Sequence, residues 1–304
     1  MKIQSLLTLA VTSALITSAS ASITMDWVNV GNPGNVADES TGYGAVGYAY
    51  QIGKYEVTNS QYGAFLNAKG ASNSGAIYNS NMTSTGITQS GSSGSFNYSV
   101  TSGFENKPVV HVSWFDAARF ANWMMNGQGD GDMETGAYTL SGATSGIITA
   151  NVGAAVYVPT EDEWYKAAYY NAANTSYSLY PNGQDTITTA DANYGSSGST
   201  DVASYSGEGS SYGTFDQGGN VWEWNDAVIS GSVRGLRGGS WSGLEDGLRA
   251  TFRSNFDPTV EHFASGFRVA SGSIAAVPEP TSLLSMAGLL GGGLLLRRRS
   301  KHSL

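Results

Sequence analysis

Gly218-Gly219-Asn220-Val221-Trp222-Glu223-Trp224 is the stretch on which the fold turns. Two glycines lead into two tryptophans that flank a carboxylate. Glycine permits positive φ and lets backbone approach backbone. Tryptophan brings a large apolar face and one N–H that needs an acceptor. Together they read as a tightly turned, aromatic-filled core in which loops do much of the packing. A bare carboxylate would be costly there, so Glu223 requires either an arginine or a metal ion. Arg249, Arg253 and Arg268 are the candidate arginines downstream. Arg237-Gly238-Gly239-Ser240-Trp241 and Gly266-Phe267-Arg268-Val269 continue the glycine–aromatic pattern and close the region.

The chain has 304 residues, 40% hydrophobic and 11% aromatic, with 40 glycines and a formal net charge of −9. That length suits one large domain or two ordinary ones. Lys2, Arg297, Arg298, Arg299 and Lys301 lie at the two ends, so the body between them is more acidic still. This excludes nucleic acid as a partner, because phosphate binding needs clustered Lys and Arg. There is no cysteine. Disulfides, thiolate metal sites and cysteine nucleophiles are therefore excluded.

The ends read as addresses. Residues 1–21 carry Lys2, an apolar run over 6–16 and Ala19-Ser20-Ala21, the layout of a secretory signal cut by signal peptidase before Ser22. Residues 273–304 hold Pro278-Glu279-Pro280, an apolar segment over 281–296 and a basic end over 297–301. The apolar segment is short for a full span of about 20 residues, and the basic end would stay cytoplasmic.

Between them, residues 26–30 and 47–54 read as strands. Thr58 and Gln61 form a capping box for a helix with Tyr62, Phe65 and Leu66 on its buried face. Residues 70–103, rich in Ser, Gly, Asn and Thr, read as a surface insertion. Ser113 and Asp116 open a second helix with Phe120 and Met124 on its inner stripe. Thr160 and Glu163 open a third, with Trp164, Ala167 and Ala168 facing inward. His111 reads as a core histidine, because no second histidine lies nearby to build a metal site. Asp130, Asp132 and Glu134 read as a solvated acidic turn, lacking the spacing of an EF-hand. Residues 185–211 read as loop.

Six segments in order resemble the formylglycine-generating enzyme, or sulfatase-modifying factor, family. They are Ile52-Gly53-Lys54-Tyr55-Glu56-Val57-Thr58-Asn59, Pro108-Val109-Val110-His111-Val112-Ser113-Trp114-Phe115-Asp116-Ala117, Val158-Pro159-Thr160-Glu161-Asp162-Glu163-Trp164, Gly219-Asn220-Val221-Trp222-Glu223-Trp224, Arg237-Gly238-Gly239-Ser240-Trp241 and Gly266-Phe267-Arg268-Val269. The resemblance implies a loop-rich α+β fold related to C-type lectins over residues 22–272. The C-terminal layout resembles the PEP-CTERM sorting signal, which implies removal of the tail by an exosortase-type enzyme; a plain membrane anchor is the competing reading. Export would then end at the cell envelope, surface or extracellular matrix.

Activity does not carry over with the fold. The family's enzymes bind copper through two cysteines after the Gly-Gly-Ser motif, and here those positions are Gly243 and Leu248. Copper cannot be held by cysteine, and formylglycine formation is not expected. Iron-dependent relatives need more histidine than the three present. The resemblance implies a calcium ion held by Asp216, the Gly219 and Val221 carbonyls and Glu223, and more weakly a second at Asn193 and the Tyr194 carbonyl. It also implies a groove lined by Ser240, Trp241, Gly243, Leu248, Arg249 and Arg253. The expected function is a calcium-stabilised, non-catalytic module that binds an extracellular peptide or polysaccharide. The alternative is an enzyme of the same superfamily with changed chemistry.

Overall fold

Three helices begin at the caps named above. The computed structural model describes residues 22–272 apart from Ser206 and Glu208. The secretory segment and the sorting segment with Pro278, Glu279 and Pro280 lie outside the described residues. Among the described residues, no helix is long and apolar enough to cross a membrane. Helix α1 (Asn59–Lys69) starts where Thr58 Oγ1 accepts from Gln61 N, and Gln61 Oε1 accepts from Thr58 N at 2.9 Å. The short α2 (Met82–Thr85) follows. Ser113 and Asp116 make the same reciprocal bonds at α3 (Trp114–Met125), as do Thr160 and Glu163 at α4 (Glu161–Tyr169). Each box satisfies backbone N–H groups that the first turn leaves without partners.

The strands are short. In chain order they are β1 (Trp27–Val30), β2 (Tyr50–Gly53), β3 (Ile87–Ser90), β4 (Asn97–Val100), β5 (Val156–Tyr157), β6 (Tyr170–Asn171), β7 (Ser176–Tyr177), β8 (Trp222–Ser230), β9 (Val233–Arg237), β10 (Ser254–Phe256), β11 (Ser265–Gly266) and β12 (Ala270–Gly272). One antiparallel sheet runs β1-β2-β12-β5, joining the two ends of the described chain. A second runs β10-β9-β8-β11. In it β11 lies parallel to β8, setting Gly266 opposite Glu223. The architecture is a loop-rich α+β fold, as expected.

Aromatic residues fill the core. Tyr62, Phe65, Phe120, Trp123 and Phe267 pack with ring centroids 5.3–6.4 Å apart. Such edge-on and tilted contacts suit the charge distribution of the rings.

Two expectations are corrected. Residues 70–103 carry α2 and a β3–β4 hairpin, and Ile77, Tyr78, Met82, Ile87 and Tyr98 are core residues rather than surface ones. The hairpin docks on α1, where Asn67 Nδ2 donates to Tyr98 O and Asn67 Oδ1 accepts from Tyr98 N. Polar composition hid a few apolar anchors spaced too irregularly to show a period. Secondly, α3 is buried nearly all round, from Trp114 to Trp123, while Met124 is only half-buried. Its burial includes Arg119, and Glu134 from the acidic turn supplies the counter-charge at 2.7 Å. That turn is thus partly structural. His111 is buried, as a core histidine should be, and lies outside any strand with φ of 59°.

Candidate ligand-binding site

The parallel register of β11 on β8 brings Arg268 to the carboxylate set between the tryptophans. Arg268 Nε donates to Glu223 Oε2 at 2.6 Å and Nη2 to Oε1 at 2.7 Å. Trp164 Nε1, from α4, donates to the same Oε2 at 2.7 Å. The other Arg268 N–H groups reach the carbonyls of Gly53, Lys54 and Phe215 at 2.9–3.2 Å. All five guanidinium donors are used. Close approach is what Gly266 permits: a Cβ there would stand 2.5 Å from Val109 O. Of the two partners that burial demands for Glu223, the structure supplies the arginine.

Two more buried acids surround this pair. Glu56 accepts from Asn220 Nδ2 through Oε1 at 3.1 Å, and its Oε2 has no partner. Burial pushes its carboxyl well above the usual range, and the Asp216 and Glu223 charges add to the effect. Asp216 has a left-handed backbone, φ 60°, and accepts from Ala203 N through Oδ2 at 2.7 Å. Burial raises its carboxyl to about 6. Glu56 was not singled out from the sequence, although it stands inside one of the quoted motifs.

Calcium wants six to eight oxygen ligands, with carboxylates prominent among them. Of the groups implied by the resemblance, the Glu223 and Asn193 side chains are already engaged by protein partners. Both Glu223 oxygens are occupied by Arg268 and Trp164, and a cation beside them would meet a buried guanidinium. The Asn193 side chain is likewise committed: Oδ1 accepts from Ser196 Oγ at 2.6 Å, and Nδ2 donates to Gly198 O and Asn220 Oδ1. The Tyr194 hydroxyl donates to Ile187 O, a bond that does not involve the carbonyl named by the resemblance. Gly219 takes φ of 88° and Val221 is buried beside the pair. Among the described residues, no group of three or more His, Asp or Glu is arranged to hold a metal ion.

The groove expected after the Gly-Gly-Ser motif divides in two. Trp241 borders a cavity of about 400 Å³ with Phe263, Phe104, Lys107 and Val110, and serines, a threonine and Gly198 line the rest. Trp241 and Phe263 meet edge to face, 5.6 Å between centroids. Lys107 Nζ lies 4.7 Å from the Phe104 ring centroid. The Trp241 loop is fixed by backbone bonds. Trp241 N donates to Asn220 O, Ser196 N to Trp241 O and Gly195 N to Gly243 O, at 2.7–2.8 Å. Ser240 is buried beneath, its Oγ 3.2 Å from Ser242 Oγ, and Gly243 is half-buried.

Leu248, Arg249 and Arg253 do not border that cavity. Leu248 is fully buried in a separate cluster with Tyr180, Ile187 and Ala192. Arg249 Nε donates to Tyr180 Oη at 2.9 Å and pairs with Asp246 at 3.0 Å. Arg253 is bound through two nitrogens to Glu161, which also accepts from Arg237 Nε at 2.8 Å. Leu248 is thus spent on packing, and Arg249 and Arg253 on ion pairs. Phe263, Phe104 and Lys107 were missed, and nothing in their local sequence marks them.

The fold agrees with what the chain is similar to. Among solved structures, Treponema denticola variable protein 1 superposes with a TM-score of 0.58 at 23% identity, over 84% of this chain and 98% of that one. CarF gives the same TM-score at 25% identity, over 82% and 99%. Hercynine oxygenase of Mycolicibacterium thermoresistibile is 27% identical over 73% of this chain and 50% of its own length. Serine/threonine-protein kinase pkn1 of Chlamydia caviae is 28% identical over 56% and 25%. Inactive C-alpha-formylglycine-generating enzyme 2 of Bos taurus is 30% identical over 55% and 50%. The chain thus spans about a quarter to a half of the length of these curated relatives. Residues 35–272 match the sulfatase-modifying factor enzyme 1-like domain, and with the buried Glu223–Arg268 pair, the Trp241 loop and the strands β2 to β12 all lying inside that match, the chain belongs to this family.

Proposed function

We propose that this protein is an exported, non-catalytic binding module whose ligand, an extracellular peptide or polysaccharide, occupies the cavity bordered by Trp241 and Phe263. The single observation that carries the reading is the state of the family's chemical positions. Gly243 has no side chain, and Leu248 is an apolar residue buried away from the cavity. What remains beside Trp241 is an aromatic wall, one lysine and several hydroxyls, a lining that binds faces and polar edges rather than activating a nucleophile. Similarity to a relative named as inactive supports it. Export rests on the two terminal segments of the sequence. Calcium stabilisation, which the family resemblance implies, is the element that the Glu223 geometry speaks against.

Binding is tested with the full chain on peptide and polysaccharide arrays. A retained ligand should lose at least tenfold in affinity in Trp241→Ala and Phe263→Ala. Retention that ignores both substitutions overturns the assignment of the cavity. Formation of an aldehyde on a sulfatase cysteine peptide, read by mass spectrometry, overturns the non-catalytic reading.

Similarity to hercynine oxygenase over 73% of this chain favours a second reading, an enzyme of the superfamily with changed chemistry. Metal analysis of the purified protein separates the two. Stoichiometric iron or copper supports the enzyme.

A further inference from the structure

The Trp241 cavity has a charge opposite in sign to that of the chain around it. The chain carries a formal net charge of −9, yet no carboxylate lines this cavity and Lys107 does. Every arginine among the described residues is ion-paired with an acid. Lys107 has no such partner among them; its Nζ rests 4.7 Å from the Phe104 ring centroid. A ring face attracts the charge but leaves the three N–H donors of the ammonium to other acceptors. The hydroxyls on the wall are set for particular partners as well. Ser84 Oγ donates to Asn81 O at 2.8 Å and Thr85 Oγ1 to Met82 O at 3.3 Å, so both protons are in use and the lone pairs remain. The loop carrying Ser197 and Ser199 is pinned where Asn193 Nδ2 and Ser196 Oγ donate to Gly198 O at 3.1 Å. Phe263, 45% exposed, and Trp241 give apolar faces. Trp241 N and O are both engaged within the protein, by Asn220 O and Ser196 N, and add no backbone edge for an extended peptide.

A ligand that meets this lining brings a negative charge, several hydrogen-bond donors and an apolar face in a small volume. A neutral sugar leaves Lys107 unmet. An acidic peptide brings its charge and its apolar face on separate residues. An acidic sugar ring carries all three on one unit: an anionic group for Lys107, hydroxyls for Ser84 and Thr85, and a C–H face for the aromatic wall. We propose that the ligand of the Trp241 cavity is an acidic polysaccharide, one sugar residue of which sets a carboxylate or a sulfate ester against Lys107 Nζ. This rests on the binding role given to the cavity above and narrows it to one class. A volume of about 400 Å³ lies towards the lower end of the about 300–1,000 Å³ of small-ligand pockets, as a site for a single ring should.

The class is tested with the full chain on an array of oligogalacturonate, alginate and carrageenan oligomers, each beside its carboxyl-reduced or desulfated counterpart, with polyglutamate as the peptide arm. Hits are titrated by calorimetry. An acidic oligomer should bind at least tenfold more tightly than its neutral counterpart, and whether the uronates or the sulfated oligomers do so names the anionic group. Lys107→Gln should bring the acidic oligomer down to the affinity of the neutral one and leave the neutral one unchanged. Lys107→Arg should keep the preference. The neutral counterparts test the charge without any change to the protein, so the result stands even if a variant folds poorly. The proposal is overturned if neither acid is retained, if the neutral oligomer binds equally well, if the preference survives Lys107→Gln, or if polyglutamate is favoured over the saccharides. A neutral oligomer or a peptide whose binding is lost in Trp241→Ala overturns the acidic-saccharide assignment alone and leaves the cavity's binding role standing. Binding indifferent to both Trp241→Ala and Phe263→Ala removes that role and this proposal together.

Discussion

Arg268 meets Glu223 side-on, with two hydrogen bonds of 2.6 and 2.7 Å and neither side chain exposed to solvent. Removing one partner leaves the other charge buried and unpaired, which costs about 3–5 kcal/mol in comparable pairs. Arg268→Met and Glu223→Gln should each lower stability by about that much in denaturant unfolding. Arg268→Lys should not rescue it, because a single ammonium cannot span both oxygens and reach the carbonyls of Gly53 and Phe215 as well. Losses under about 1 kcal/mol would refute the central role given to the pair.

The same geometry makes a statement about calcium. A ligand bound only by the folded state raises the unfolding midpoint by mass action. With both Glu223 oxygens engaged by Arg268 and Trp164, excess chelator should leave the midpoint unchanged, and added calcium should not raise it. A drop of several degrees on chelation, reversed by calcium, would restore the cage implied by the family resemblance.

Leu248, where the family resemblance implies a cysteine in the enzymes, is a packing residue in this fold. It is fully buried against Tyr180, Ile187 and Ala192. Truncation to alanine should cost about 2–5 kcal/mol through lost contacts and the cavity left behind. Thermal unfolding of Leu248→Ala gives the answer. An unchanged midpoint would mean that the cluster is loose enough to collapse around the gap.

Asp116 makes stability depend on pH. Burial raises its carboxyl from 3.8 to about 7, with Glu261 raising it further and Arg119 and the Ser113 bonds opposing. The folded state then holds this proton more tightly than the unfolded chain. The associated stability is fully present below about pH 4 and is lost as pH rises towards 7. Each unit is worth roughly 1.4 kcal/mol before water entering the cavity is allowed for. Asp116→Asn should therefore flatten the fall between pH 4 and 7 and gain about 1–2 kcal/mol at neutral pH. A pH profile parallel to the parent's would count against a raised Asp116.

Local chemistry in the sequence determined the helix starts, because a cap is a contact between residues three apart: Thr58 with Gln61, Ser113 with Asp116, Thr160 with Glu163. It also determined that Glu223 needed a buried partner, and that cysteine chemistry was closed to the chain. It did not separate arginine from metal, since either satisfies a buried carboxylate. Only the tertiary structure brought an arginine to it, by laying β11 parallel to β8 so that Arg268 reaches the acid from 45 residues away. Long-range packing likewise folded residues 70–103 into α2 and a hairpin on α1 and gave Glu134 to Arg119. It also parted Leu248, Arg249 and Arg253 from Trp241. Neighbours in sequence leave a tight turn in different directions, and which cavity a side chain borders is settled by the elements it packs against.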